Sequence, residues 1–117
     1  MGVVKLNTLK KNKEFGYVYR RGSAVRKKYF TMLYAKSRYG GIRAGFQASK
    51  KVGNSVVRNR ARRRMKEAMR RILPDLAGNY SIVFVLKQAQ DEPVFTELVA
   101  DIASAMEKAH ITERGRK

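Results

Sequence analysis

Between Ser49 and Arg71 the chain reads SKKVGNSVVRNRARRRMKEAMRR, and no other stretch restricts the fold as much. At about 100° per residue, Val57, Ala61, Met65, Ala68, Met69 and Ile72 fall on one arc of a helical wheel. Arg58, Arg60, Arg62, Arg63, Arg64, Lys66, Arg70 and Arg71 take the rest of the circumference, with Glu67 as the lone acid among them. The spacing predicts a helix that starts at Asn54 or Ser55 and runs to about Leu73, where Pro74 stops it. It must press a narrow apolar stripe onto a core and present cations elsewhere. Like charges at i,i+4, such as Arg58, Arg62, Lys66 and Arg70, disfavour a helix. A face left so uncompensated requires an external anion.

A phosphate backbone supplies one. Neutralised phosphates release condensed counterions, so affinity falls steeply with salt. Arginine holds a phosphate with a planar fork and also stacks on bases. Asn59, inside the cluster, is able to order Arg58 and Arg60, or to meet a base edge or a 2′-hydroxyl. Gly53 and Asn54 sit where the helix begins, flanked by Lys50 and Lys51. Main-chain N–H groups at such a point bind phosphate, but taken alone the pair reads more readily as an ordinary turn and cap.

The rest of the composition agrees. The 117 residues include 27 Lys and Arg against 9 Asp and Glu, a formal charge of +18. A field of that sign suits nucleic acid, with anionic membrane as the next candidate. There is no Cys, which excludes disulfide frameworks, zinc fingers and thiol nucleophiles and fits a reducing compartment. No run approaches the roughly 18–20 apolar residues of a membrane span, and Met1–Leu9 lacks a signal-peptide core. The expectation is a cytoplasmic protein without membrane attachment.

The length suits one domain over 1–117, with frayed ends at about 1–6 and 112–117. Asn12 is placed to cap a short first helix that carries Phe15, Val18 and Tyr19, and Gly22 to end it. Residues 29–36 read as a strand, Ser37–Gly41 as a turn, and Ile42–Ala48 as a strand returning antiparallel to the first. Ser81–Leu86 is apolar throughout, as in a buried central strand. Beyond Pro93, Phe95, Leu98, Val99, Ile102, Met106 and Ala109 form a helical stripe. The order α-β-β-α-β-α predicts an α/β fold, most simply a sheet with helices on one face.

Lys50-Lys51-Val52-Gly53-Asn54, then Val57-Arg58-Asn59-Arg60 and Arg62-Arg63, resembles the signature of the bacterial ribonuclease P protein component. The match is long and ungapped. Leu9–Phe15 with Gly22 looks like that family's first helix, Ser81–Lys87 like its last strand, and the likeness spans about Leu9 to Ala109. Departures are modest: Arg62 stands where Lys is common, Gly16 and Tyr17 are unusual in the first helix, and Lys87 replaces a frequent Arg.

The resemblance implies an α/β sandwich with a left-handed β-α-β crossover, the fold named after the second domain of a small-subunit ribosomal protein. It implies that this chain is the protein subunit of an endoribonuclease that removes the 5′ leader from precursor tRNA, lowering the Mg²⁺ requirement. Catalysis and Mg²⁺ are then expected on the RNA subunit, with no catalytic residue and no metal site on the protein. The partners implied are the catalytic RNA and the single-stranded 5′ leader, with no obligate protein partner. The catalytic RNA is expected at Lys50, Lys51, Gly53, Asn54, Arg58, Asn59, Arg60, Arg62, Arg63, Arg64 and Lys66.

For the leader, aromatics beside basic groups suit stacking on single strands. The resemblance favours Phe15 and Tyr19, and Tyr34 and Phe46 are further candidates, although strand alternation must bury some of these rings. Lys10, Lys11, Arg20, Arg21, Arg26, Lys27 and Lys28 read as an electrostatic fringe. His110 lacks an evident partner for base catalysis, and acids such as Asp91, Glu92, Glu97 and Glu113 read as solvated. A ribosomal or other structural RNA-binding protein explains the charge equally well, but not the whole signature. A DNA-reading regulator would need a helix-turn-helix pattern, and a metal-dependent nuclease an acid cluster.

Overall fold

The computed structural model describes residues 7–9, 11–38, 40–88 and 92–111. The expected frayed ends, together with Lys10, Asp91 and Glu113, lie outside them. The elements are β1 (Asn7–Thr8), α1 (Asn12–Arg21), β2 (Ser23–Arg26), β3 (Phe30–Lys36), β4 (Ile42–Gln47), α2 (Ser55–Ile72), β5 (Tyr80–Leu86) and α3 (Phe95–Lys108). Four strands form a mixed sheet in the order β4-β5-β3-β2, extended at the β4 edge by the two-residue β1.

β5 decides this topology. Its run Tyr-Ser-Ile-Val-Phe-Val-Leu is apolar on both faces, so it gains most at the centre of a sheet covered on both sides. It separates the two strands expected to form a hairpin. β3 pairs antiparallel with β5 (Met32 opposite Phe84), and β4 pairs parallel with it (Ala44 opposite Ile82). The expected antiparallel return of Ile42–Ala48 on the preceding strand is therefore corrected. β4, α2 and β5 form a parallel β-α-β unit instead.

The two faces bury different partners. Ile82, Phe84 and Leu86 of β5 join Phe30, Met32, Ala44 and Phe46 under α2 and α3. Phe84 is the hub, edge-on to Phe30 and stacked with Phe46, with both centroids at 5.4 Å. Against them α2 lays Met65, Ala68, Met69 and Ile72, and α3 lays Leu98, Ile102, Ala105 and Met106. The opposite face of β5 presents Val83 and Val85, which α1 covers with Phe15 and Val18 beside Leu9 and Leu33. Helices thus pack on both faces, not on one, because β5 has no polar side to leave in water.

Three further corrections concern local structure. Ser23–Arg26 forms an edge strand that the sequence did not announce, since Val25 is its one buried residue. Gly22 ends α1 in extended backbone (φ −80°), not as a left-handed cap, and glycine suits it for another reason. A Cβ there would lie 2.9 Å from the Tyr34 carbonyl oxygen. Lys11, not Asn12, is the N-cap of α1, and it makes no side-chain capping bond. The left-handed residue closing a helix is His110 after α3 (φ 59°), where the Ile111 N–H returns to the Met106 carbonyl.

Candidate nucleic-acid interface

Asn54 caps α2, its Oδ1 accepting from the Val57 N–H at 3.0 Å. Gly53 enters at φ 153°, ψ −169°, and a Cβ there would stand 2.7 Å from Val57 Cγ1. Both residues are thus accounted for as turn and cap. The short 3₁₀ turn Lys50–Val52 precedes them and leaves Lys50 and Lys51 exposed.

From that start the helix sorts its cations into two groups. Arg60 and Arg64 turn toward the segment leading into α3. Arg60 donates through Nε and Nη2 to the two carboxylate oxygens of Glu92, at 2.6 and 3.2 Å. Arg64 Nη2 donates to the Pro93 carbonyl at 2.5 Å, and its Nε lies 3.3 Å from Glu92 Oε1, an ion pair without a hydrogen bond. Arg64 also sits over the Phe95 ring at 6.0 Å, and Arg71 at 5.5 Å. The Arg64 side chain is 26% exposed against 62% for Arg60, so Arg64 is the enclosed member of the pair. Hydrogen bonding to Arg60 holds the Glu92 carboxyl below its ordinary pKa, with both arginines adding attraction, and Glu92 in turn raises Arg60. Glu92 is therefore exposed, as expected of a solvated acid, but paired. Nothing in the sequence marks a pairing across 32 positions.

The second group faces outward. Lys50, Lys51 and Arg63 are exposed, and Arg58, Arg62 and Lys66 are half-buried. Asn59 orders Arg62, accepting from Nη1 at 2.9 Å, and not Arg58 or Arg60 as expected. Arg58 Nη2 is 3.4 Å from Ser55 Oγ. Arg70 pairs with Glu67 within the helix. Among the described residues no ion pair engages Lys50, Lys51, Arg58, Arg62, Arg63 or Lys66.

The four aromatics expected at a single-stranded ligand divide between the two faces of the sheet. Phe15 and Tyr19 lie on α1. Phe15 packs so close to Gly45 that a Cβ there would collide with its ring, and Tyr19 is 48% exposed with its hydroxyl donating to Gln47 Oε1. Partial burial raises the Tyr19 pKa. Phe46 is corrected: alternation along β4 turns it into the main core against Phe84. Tyr34 also packs on the main core, on the face away from α1. Beside α1 the sheet instead offers half-buried Thr31, Gln47 and Val85, and Arg43 held by Glu14 at 2.9 Å. Gln47 was not anticipated, because no motif marks a lone amide at a strand end. Among the described residues no three His, Asp or Glu gather as a metal site would require, and no helix is long and apolar enough to cross a membrane.

Known proteins repeat both the sequence and this architecture. The ribonuclease P protein component of Clostridium botulinum strain 657 is 37% identical over 109 residues, covering 92% of this chain and 98% of that protein. That of Caldanaerobacter subterraneus subsp. tengcongensis is also 37% identical over 109 residues, covering 93% and 94%. The RNase P protein structure from Staphylococcus aureus superposes with a TM-score of 0.80 at 22% identity, covering 93% of this chain and all of that one. The Thermotoga maritima structure gives 0.78 at 19% identity, covering 87% and 96%. Residues 4–110 match the family model described as Ribonuclease P, and the chain belongs to that family.

Proposed function

We propose that this chain is the protein subunit of a ribonuclease P ribonucleoprotein acting in tRNA 5′ maturation in the cytoplasm. The outward face of α2 would bind the catalytic RNA. The observation that carries this is the set Lys50, Lys51, Arg58, Arg62, Arg63 and Lys66, which no acid of the described residues pairs. Cations held on a rigid helix without an acid to neutralise them form a preformed track for phosphates. Gly53 and Asn54 would fix the start of that track, Gly53 through its backbone conformation and Asn54 through its cap on the Val57 N–H.

The single-stranded 5′ leader would lie on the other side, along α1 and the uncovered strip of the sheet. Tyr19 offers an exposed ring and Phe15 a partly buried one beside it, and stacking on such rings tolerates any base. Catalysis would reside in the RNA, with Mg²⁺ held there, as the family resemblance implies. The protein's part is electrostatic: it offsets repulsion between two polyanions at modest Mg²⁺ and favours precursor over product.

The test is cleavage of a precursor tRNA at low Mg²⁺ by a bacterial catalytic RNA with and without the protein. Rescue that shrinks with Lys51→Ala/Arg63→Ala and depends on leader length supports the assignment. Rescue indifferent to leader length would point instead to a structural RNA-binding role.

A further inference from the structure

A cleft of about 320 Å³ opens beside the cationic track, between α2, the end of β5 and the start of α3. Its walls are Val57, Ala61 and Met65 of α2, Leu86 of β5, Leu98 of α3, and the Tyr29 side chain. Arg60, Arg64, Lys87 and Glu92 stand around it, three cations against one carboxylate. Val57 is 45% exposed although it occupies the apolar arc of α2, so the stripe that should close on the core is open here. A chain with a charge of +18 that leaves apolar walls open in its most basic region presents an unusual pairing of surfaces.

That pairing fits a flat apolar body attached to an anion. An unstacked nucleobase with its own phosphate has this form. RNA-binding proteins hold such bases against aromatic rings and guanidinium planes. The cleft lies at the lower end of the roughly 300–1,000 Å³ range of small-ligand pockets. We propose that it receives one extruded base of the RNA that tracks along α2, with the adjoining phosphate at Lys87 and Arg60. This rests on the RNA-binding assignment above and adds a base-sized contact to it. The proposal gives Glu92 a second role. Its exposed pair with Arg60 is cheap to open, so the carboxylate holds the guanidinium in place until a phosphate displaces it.

Two measurements test this. In the first, methyl resonances of the protein are followed while adenosine 5′-monophosphate or inorganic phosphate is added at millimolar concentration. The nucleotide is expected to move the Val57, Met65, Leu86 and Leu98 methyls, and phosphate to leave them in place. In the second, Ala61→Phe fills the cleft, with Ala61→Met replacing it if the larger variant does not fold. Its affinity for the catalytic RNA is expected to fall roughly tenfold, the scale of one lost base stack. Excluding the base also frees its adjoining phosphate from Lys87 and Arg60, so the salt slope should become shallower by about 1. Lys51→Ala should lower the slope similarly but leave the nucleotide-induced methyl shifts in place.

Unmoved methyls together with wild-type RNA affinity for the filled variant overturn the proposal. Moved methyls with undiminished RNA affinity assign the cleft to free nucleotides and overturn its assignment to RNA. If Ala61→Phe and Lys51→Ala both bind the RNA as the wild type does, the RNA-binding assignment falls with it.

Discussion

Arg60 and Arg63 stand three residues apart on the same helix, yet they face different surroundings. Arg60 meets a carboxylate of its own chain, while Arg63 is exposed and unpaired by any described acid. Arg64 continues the first pattern, tied to the Pro93 carbonyl and set over Phe95. Lys50 and Lys51 continue the second. Arginine content alone therefore does not measure an RNA-binding surface. Part of the charge on α2 fastens the approach to α3, Arg70 meets Glu67 within the helix, and the remainder faces no described acid and is available to an anion.

The largest effect separating the two groups should come from the outward one. Lys51→Ala/Arg63→Ala is expected to weaken binding of the catalytic RNA by about one hundredfold at low salt, taking roughly tenfold per charged contact. The slope of log affinity against log salt should become shallower by about 2, as for two lost phosphate contacts. Stability should change by no more than about 0.5 kcal/mol, because both side chains are exposed. Filter binding over a salt series and a denaturant melt check the pair. An unchanged slope would erase the distinction between the groups.

The aromatics allow the same contrast across the sheet. Tyr19→Ala should weaken binding of a leader-bearing precursor roughly tenfold, the scale of one lost base stack, and leave binding of leaderless tRNA alone. Tyr34→Ala, on the face away from α1, should not distinguish the two RNAs. Equal loss for both RNAs with Tyr19→Ala would remove the leader from α1.

Arg64→Ala addresses the inward group. It breaks the bond to Pro93 and uncovers one side of Phe95, and should cost about 1 kcal/mol, discounted for partial exposure. The denaturant midpoint reads that loss, and the salt slope of RNA binding should stay near the wild-type value. A shallower slope would move Arg64 into the outward group.

What the sequence made legible followed from periodicity. The span of α2, its Asn54 cap, its stop before Pro74 and the apolar arc from Met65 to Ile72 all follow from residues within one turn of each other. The buried character of β5 was legible for the same reason, but its neighbours were not. Strand pairing between β3, β4 and β5 depends on which strand most needs cover on both faces, a comparison no local window makes. The short β2 escaped because one buried valine among Ser, Ala and Arg forms no alternating pattern. At the site, the cationic helix was evident and its division was not. Glu92 lies 32 positions from Arg60 and has the composition of an ordinary loop acid. Phe46 looked like a stacking ring until the direction of β4's pleat placed it against Phe84.

The smallest effect concerns pH, and it tests the inward group without touching RNA. Hydrogen bonding to Arg60 holds the Glu92 carboxyl below its ordinary pKa. A carboxylate whose pKa is lowered on folding stabilises the fold above its unfolded pKa, and loses that contribution as pH falls through the lowered folded value. The Glu92–Arg60 pair should accordingly stay intact at neutral pH and through the ordinary carboxylate range, opening only in more acidic solution. Following the Glu92 side-chain carboxyl resonance through an acid titration should give a midpoint below that of an unpaired glutamate. In Arg60→Ala the midpoint should rise toward the ordinary value, because the attraction of Arg64 is smaller than the opposing cost of desolvating the carboxylate. Both groups of the pair are exposed, so the global melt should move little over the same interval. A midpoint that Arg60→Ala leaves in place would mean that Glu92 does not hold Arg60 in solution. Arg60 would then join Arg63 on the outward face, and the inward group would shrink to Arg64 alone.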